Sequence, residues 1–418
     1  MRFLFVFFLS CITFSLSAAT LDSLRLTVGQ ADSLFVRNNL LLLAERFRIE
    51  ASQADIIQAS LFENPTVAVE LSAYNSTRNR VLDVGRQGQK IVSVQQLLYT
   101  AGKRNKRIAL AEESAKLTEY EFTDLLRALR FDLRSRFYES YFQQNTIRRY
   151  DQQIATLQTT VNAYETQYEK ANVSLRELLR LKALVFQLRN DRTDLVFQLA
   201  ENQKALRTLL SIEQPITLIV NEAGLTRYRL PVESGEQLRE KAFANRADLK
   251  VSQSLTRQSE LNYNFQRALA RPDLSLSGVY DQQGSYISNY IGVGVAMSIP
   301  VWNRNQGGIK AARSQIDYQK RLEENKHLQI ANEVSTVLQK VQEVERTVQS
   351  VEGRFTEQFE ELSIGVTKNF GKGNISLLEF VDLIETYNES VRELNRLKAD
   401  RIGAYEELNY VVGEDLFR

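Results

Sequence analysis

Three places in this sequence hold residues whose types and spacing could do chemistry. The only histidine, His327, sits among Glu323, Glu324 and Lys326 on a predicted helix, which suits a solvated side chain better than a catalytic base. The stretch "TAGKRN" at 100–105 has the Gly-Lys pair of a phosphate loop but lacks the upstream glycine and the following Ser or Thr. It reads as a helix start beside a membrane. The third place is a set of charges, with Arg176 and Arg180 in one segment and Glu379, Asp382 and Glu385 in another. The three acids step i, i+3, i+6 along one helix face. A ring of such carboxylates at a constriction repels itself unless paired, and the two arginines are available partners. Exposed pairs contribute only about 0–1 kcal/mol each, so closing a passage would take several. Ordinary surface charges give the same pattern, and both readings stand.

No catalytic, metal or cofactor site is expected. One histidine, two methionines and one cysteine leave a soft-metal relay without ligands, so any metal selectivity must lie elsewhere. The 418 residues are 43% hydrophobic and 25% charged, a composition that excludes disorder and an ordinary helical membrane protein. A net charge of +2 lacks the basic excess that nucleic acid would need.

The first 19 residues have a basic start at Arg2, an apolar run from Phe3 to Leu16 and a small-residue end, Ser17-Ala18-Ala19. That is the layout of a secretory signal peptide. Cleavage there removes Cys11, the sole thiol; the alternative, lipidation at Cys11, stays open although Phe8-Leu9-Ser10 fits a lipobox poorly. No later segment reaches the roughly 20 apolar residues of a membrane helix.

The positioning elements come in pairs. Pro65 and Pro272 each open an alternating stretch, "NPTVAVELSAY" and "RPDLSLSGVY", each followed by a polar loop and a second one, "KIVSVQQLLYT" and "YIGVGVAMSIP". Residues 168–212 align without a gap on 370–414: Lys170, Asn172, Ser174, Leu175 and Glu177 meet Lys372, Asn374, Ser376, Leu377 and Glu379. The same alignment sets Arg180 opposite Asp382. The chain reads as a tandem duplication. Between Lys103 and Gln214 nothing forces a helix to stop. Ile154, Leu157, Val161, Tyr164 and Tyr168 step 3-4-3-4 as a coiled-coil seam, as do Ile384, Tyr387, Val391 and Leu394. Breaks at "ANVS" and "GNIS" predict tight turns with Ser174 and Ser376 as N-caps, so each half holds a long helical hairpin.

Strands of about ten residues with one apolar face match the 9–11 residues of a bilayer-spanning strand. Val67, Val69, Leu71 and Ala73 would face lipid, and Thr66, Ala68, Glu70 and Ser72 a wet interior. Tyr74, Tyr99, Tyr280, Tyr290 and Trp302 fall at strand ends, where interfacial aromatics belong. Four strands cannot close a barrel, and open edges in lipid leave backbone groups unsatisfied, so other copies must supply the missing strands. The basic run Lys103, Arg104, Lys106 and Arg107 suits either a cationic belt below the barrel or a solvated helix face.

With these features the chain resembles the TolC-type outer membrane efflux channels over nearly its whole length. The most specific parts are the joints "LLYTAGKRNKRIALAEES" and "SIPVWNRNQGGIKAARSQ" and the hairpin tips at Asn172 and Asn374. Gly373 keeps the family's tip glycine; Ala171 replaces it in the first tip. The resemblance implies a mainly α fold with a membrane β-barrel. A homotrimer would share twelve strands in the outer membrane and continue as a helical periplasmic tunnel. It implies a passive duct, not an enzyme, working with a periplasmic adaptor protein and an inner-membrane pump. The adaptor would dock at Ala171, Asn172, Ser174, Gly373, Asn374 and Ser376, and part the hairpins held by the charges above. The expected layout is a first repeat over 20–213 (strands about 65–75 and 89–99, hairpin 103–213), a connecting equatorial segment over 214–232, and a second repeat over 233–418 (strands about 272–281 and 290–300, hairpin 307–413). The competing reading is an exported coiled-coil scaffold without a pore. A periplasmic adaptor would carry lipoyl-like and small barrel domains, which two isolated strand pairs do not supply.

Overall fold

The computed structural model describes residues 23–284, 286–351 and 355–417. The expected signal peptide and Cys11 lie outside the described residues. The first half runs β1 (Leu24–Leu26), α1 (Val28–Asn38), α2 (Leu40–Ser60), β2 (Thr66–Leu71), β3 (Tyr74–Asn75), β4 (Arg80–Val81), β5 (Lys90–Leu98), α3 (Lys103–Glu169) and α4 (Leu175–Leu210). The second runs β6 (Ile216–Leu218), a 3-10 turn (Glu222–Arg227), α5 (Gly235–Asn245), α6 (Ala247–Leu269), β7 (Leu274–Gln283), β8 (Ser288–Met297), α7 (Gln306–Val351), α8 (Phe355–Gly371) and α9 (Leu377–Val412).

Alternating side chains make the sheet two-faced. Its order is β2-β5-β7-β8, antiparallel throughout, with β5 and β7 joining the two halves. The register aligns Val67 with Val94, Val94 with Gly278, and Gly278 with Val293, and likewise Val69 with Val92, Tyr280 and Ile291. One apolar face thus crosses all four strands, with Val293 94% and Val69 63% exposed. The other face carries Ala68, Ser93, Val279 and Gly292 in one row. The sheet does not close within the chain, and β2 and β8 are open edges.

The first strand is shorter than its alternation suggests. β2 ends at Leu71, and Tyr74 pairs with Val81 in a separate small hairpin, β3–β4. The buried Asp83 carboxylate accepts from the Asn75 side-chain amide at 3.0 Å and the Gly85 N–H at 3.4 Å, folding the chain back on itself. A parallel pair, β1 with β6, ties the chain's beginning to its middle.

At about 1.5 Å per residue the 67 residues of α3 span roughly 100 Å. Along this rod α3 packs against α4 on one side and α9 on another, while α4 and α9 scarcely touch. Two cores hold the rods together. One lies at mid-height, where Phe35, Leu133, Phe137, Tyr228, Val334 and Tyr405 meet. The second lies towards the tips, around Leu157, Val161, Leu181, Ile384, Phe370 and Phe380. Each fully buried aliphatic side chain there contributes about 1.5–3 kcal/mol. The seam on α3 is buried at Leu157 and Val161 but has come to the surface at Tyr168, 40% exposed, one turn from the tip.

Candidate functional site

Both hairpin tips are built on one plan. Helix N-termini leave N–H groups without partners, and a capping box supplies them. Ser174 and Glu177 form one at the start of α4, Ser376 and Glu379 the other at the start of α9. The preceding turns match bond for bond. The Ala171 N–H donates to Tyr168 O and the Asn172 N–H to Gln167 O; the Gly373 N–H donates to Phe370 O and the Asn374 N–H to Asn369 O. Ala171 takes the same left-handed backbone, φ 59°, as Gly373, φ 73°. The departure at Ala171 therefore leaves the turn unchanged and adds a Cβ strain there.

The capping boxes change the expected acidic stripe. One Glu379 oxygen accepts from Ser376 N at 2.9 Å and Ser376 Oγ at 3.0 Å. Those two hydrogen bonds, backbone first, hold its carboxyl below the usual glutamate range. Glu379 is thus turned onto its own cap while staying exposed, and Asp382 and Glu385 are exposed acids that take no part in the cap. Arg176 and Arg180 are exposed too, and no ion pair among the described residues of one chain joins either to Glu379, Asp382 or Glu385.

The hairpins do meet through aromatic rings, a contact the sequence reading missed. Tyr164 on α3 stacks on Phe370 of α8, with centroids 5.6 Å apart and planes 11° apart. Phe370 stacks in turn on Phe380 of α9 at 4.1 Å and 11°. Phe370 and Phe380 are buried. The sequence signal was the placing of Tyr164, Phe370 and Phe380 within three turns of the tips.

At the other end of α3 three of the four basic residues are drawn into the strand–helix joint. Lys103 is buried, its Nζ 2.6 Å from Asp273 Oδ2 and 2.7 Å from Arg271 O. Arg104 donates to Ser60 O at 2.7 Å, and Arg107 to Ala59 O and Leu61 O. The two arginines therefore satisfy the last carbonyls of α2, a partnership set by a chain reversal some 45 residues earlier. The Gly102-Lys103 pair is accounted for as a structural joint. His327 is half-buried with its ring 5.0 Å from that of Phe243.

The five strand-end aromatics separate. Tyr280 lies on the apolar face beside Val92 and Ile291. Tyr290 pairs with Asp281 on the opposite face, where its ring would contact any side chain placed at Gly292, so it is not a lipid-side aromatic of its own strand. Tyr74 leaves the main sheet and donates to Asn79 Oδ1 at 2.6 Å. At the helix-bearing end, Tyr99 donates to Glu63 at 2.7 Å, and Trp302 is 89% exposed beyond β8.

A family model described as outer membrane efflux protein matches residues 33–211 and 238–414, one block in each half of the duplication. The cobalt-zinc-cadmium resistance protein CzcC of Cupriavidus metallidurans is 24% identical over 296 residues, 70% of this chain and 67% of that protein. Among solved structures, CusC superposes with a TM-score of 0.76 at 16% identity, covering 93% of this chain and 92% of its own. The Campylobacter jejuni CmeC outer membrane channel gives 0.76 at 13%, covering 92% and 85%. The open state of the Neisseria gonorrhoeae MtrE outer membrane channel gives 0.70 at 13%, covering 94% and 90%.

Proposed function

Because the chain belongs to the outer membrane efflux protein family, we propose that it is the passive export duct of a tripartite system, working as a homotrimer. The protein resides in the outer membrane with a large periplasmic helical extension. The single observation that carries the proposal is the apolar face shared by four strands whose two outer edges, β2 and β8, have no partner among the described residues. Unpaired backbone groups in lipid are too costly to leave open, so strand addition from copy to copy is the consistent solution.

In this reading the tips are the periplasmic gate and the adaptor's docking place. Arg176 and Arg180 of one copy would face Asp382 and Glu385 of the next. Threefold repetition makes several weak pairs act together. Separating the hairpins would break these pairs and the Tyr164–Phe370 stack at once. The chain supplies no energy; a periplasmic adaptor and inner-membrane pump do. CzcC is named for cobalt, zinc and cadmium resistance; here selection of the cargo is assigned to the pump.

Single-particle imaging of the detergent-extracted protein tests this. A threefold tube, broad at its detergent-covered end and tapering along roughly 100 Å of helix, is expected. A detergent-free monomeric or dimeric rod would leave the scaffold reading in its place.

A further inference from the structure

The outward end of the sheet, away from the helices, carries cations that form no ion pair among the described residues. Between β2 and the first residue of β5 lie Arg78, Arg80, Arg86 and Lys90, against a single acid, Asp83. That net of +3 exceeds the +2 of the whole 418-residue chain. Asp83 is 5% exposed, accepts from Asn75 and Gly85 and forms no ion pair with any of the four among the described residues, so the loop keeps its net of +3. The three arginines are exposed, and none of the four cations has a side-chain partner among the described residues.

Placement says which way these charges look. Lys90 stands opposite Leu71 in the register, on the same face as Val67, Val69 and Val92. It is therefore the outermost residue of β5 on the lipid side. The arginines are interleaved with Val81, Leu82 and Val84, which are 75%, 58% and 50% exposed. The Gln282 side-chain amide donates to Gly85 O at 2.9 Å and Arg86 O at 2.7 Å, holding the loop against the end of β7. A soluble anion would need the cations alone; exposed apolar side chains beside them suit a ligand that is anionic and fatty together.

We propose that residues 72–90 form a binding site for the phosphate groups of outer-leaflet glycolipid. Guanidinium groups bind phosphate oxygens in pairs, Lys90 adds a point charge at the lipid boundary, and Val81, Leu82 and Val84 lie against the lipid body. The inference rests on the sheet being part of a membrane barrel and is independent of gate, adaptor and cargo.

The test uses the full-length, detergent-solubilised trimer and its Arg78→Ser/Arg80→Ser/Arg86→Ser/Lys90→Ser variant, whose changes are on the surface. Binding of diphosphoryl lipid A, its dephosphorylated form and inorganic phosphate is measured by the shift in thermal midpoint and by retention on the immobilised protein. Expected is binding of the diphosphoryl lipid that weakens with salt and falls about fivefold for each cation removed. Equal binding of the dephosphorylated lipid, or an unchanged affinity in the fourfold variant, overturns the proposal. So does inorganic phosphate competing at equal concentration, which would make the loop a free-anion site. Trimers that bind no lipid sink this inference alone; a protein that forms no trimer sinks the duct reading with it.

Discussion

Lys103 and Asp273, 170 residues apart, form a 2.6 Å ion pair that locks the first half's strand-to-helix joint onto the second half's helix-to-strand joint. The other Asp273 oxygen accepts the Thr100 N–H at 2.9 Å. One carboxylate thus ties together the exit of β5, the start of α3 and the entry to β7.

Asp273→Ala is expected to lower stability by about 3 kcal/mol, because it leaves the Lys103 ammonium buried with only a carbonyl for company. Asp273→Asn combined with Lys103→Met should recover most of that loss, since the amide oxygen still accepts from Thr100. Thermal midpoints in detergent decide it. A double variant no better than the single one would mean that the pair is not what holds the joint.

The tip turns make a reciprocal prediction. Nothing lies within 4 Å of a Cβ built at Gly373, so Gly373→Ala should cost only the left-handed backbone strain, about 1 kcal/mol. Ala171→Gly should do the opposite, by roughly 0.5 kcal/mol after the extra freedom of the unfolded glycine is counted. Amide exchange at Asn172 and Asn374 reads both. Slower exchange at Asn374 in the Gly373→Ala protein would contradict the turn geometry.

How much of this was legible in the sequence depended on whether a feature repeats. The strands and hairpins were, because each rests on a period of side chains and each occurs twice, as with Val67 and Val69 against Val293 and Val295. The N-caps at Ser174 and Ser376 were legible for the same reason. The capping role of the Glu379 carboxylate was not legible because the stripe through Asp382 and Glu385 considers helix faces alone, while the capping box turns that side chain back along the axis. The job of Arg104 and Arg107 stayed hidden because they bond mainly to backbone carbonyls, which every residue has, with Glu63 a further partner of Arg107. The β1–β6 pair rests on three residues a side, too few for any period.

Both caps should make the tips sensitive to acid. Hydrogen bonds from Ser174 and Ser376, backbone then hydroxyl, depress the carboxyls of Glu177 and Glu379. A group whose folded value is depressed stabilises fully above its unfolded value, about 4.3 for glutamate. It loses that contribution as pH falls through the lower folded value. The tips should therefore be insensitive between pH 5 and 8 (a window set by those directions) and loosen below about 4. A fluorophore on a cysteine introduced at Lys372 reports this. Glu379→Gln, which keeps an acceptor for Ser376, should flatten the response at the second tip, and an unaltered acid transition in that variant would assign it to other groups.

The last prediction separates the two things that could hold the tips shut. Charges between copies are screened by salt over about 8–10 Å at ordinary ionic strength, whereas stacked rings are not. Asp382→Arg should raise the resting single-channel conductance in planar bilayers, and so should 1 M salt with the unaltered protein. Combining Asp382→Arg with Arg180→Asp should restore the closed level if these residues face each other across copies. Phe370→Ala removes a buried ring, a loss of about 3–5 kcal/mol, and with it the contact to Tyr164. Its channel should be open at any salt. Phe370→Tyr keeps the ring and should close normally, which tells a lost stack from a misfolded tip. A closed level that ignores Asp382→Arg and yields only to Phe370→Ala would move the latch from the charges to the rings. The reverse outcome would make Tyr164 and Phe370 ordinary packing.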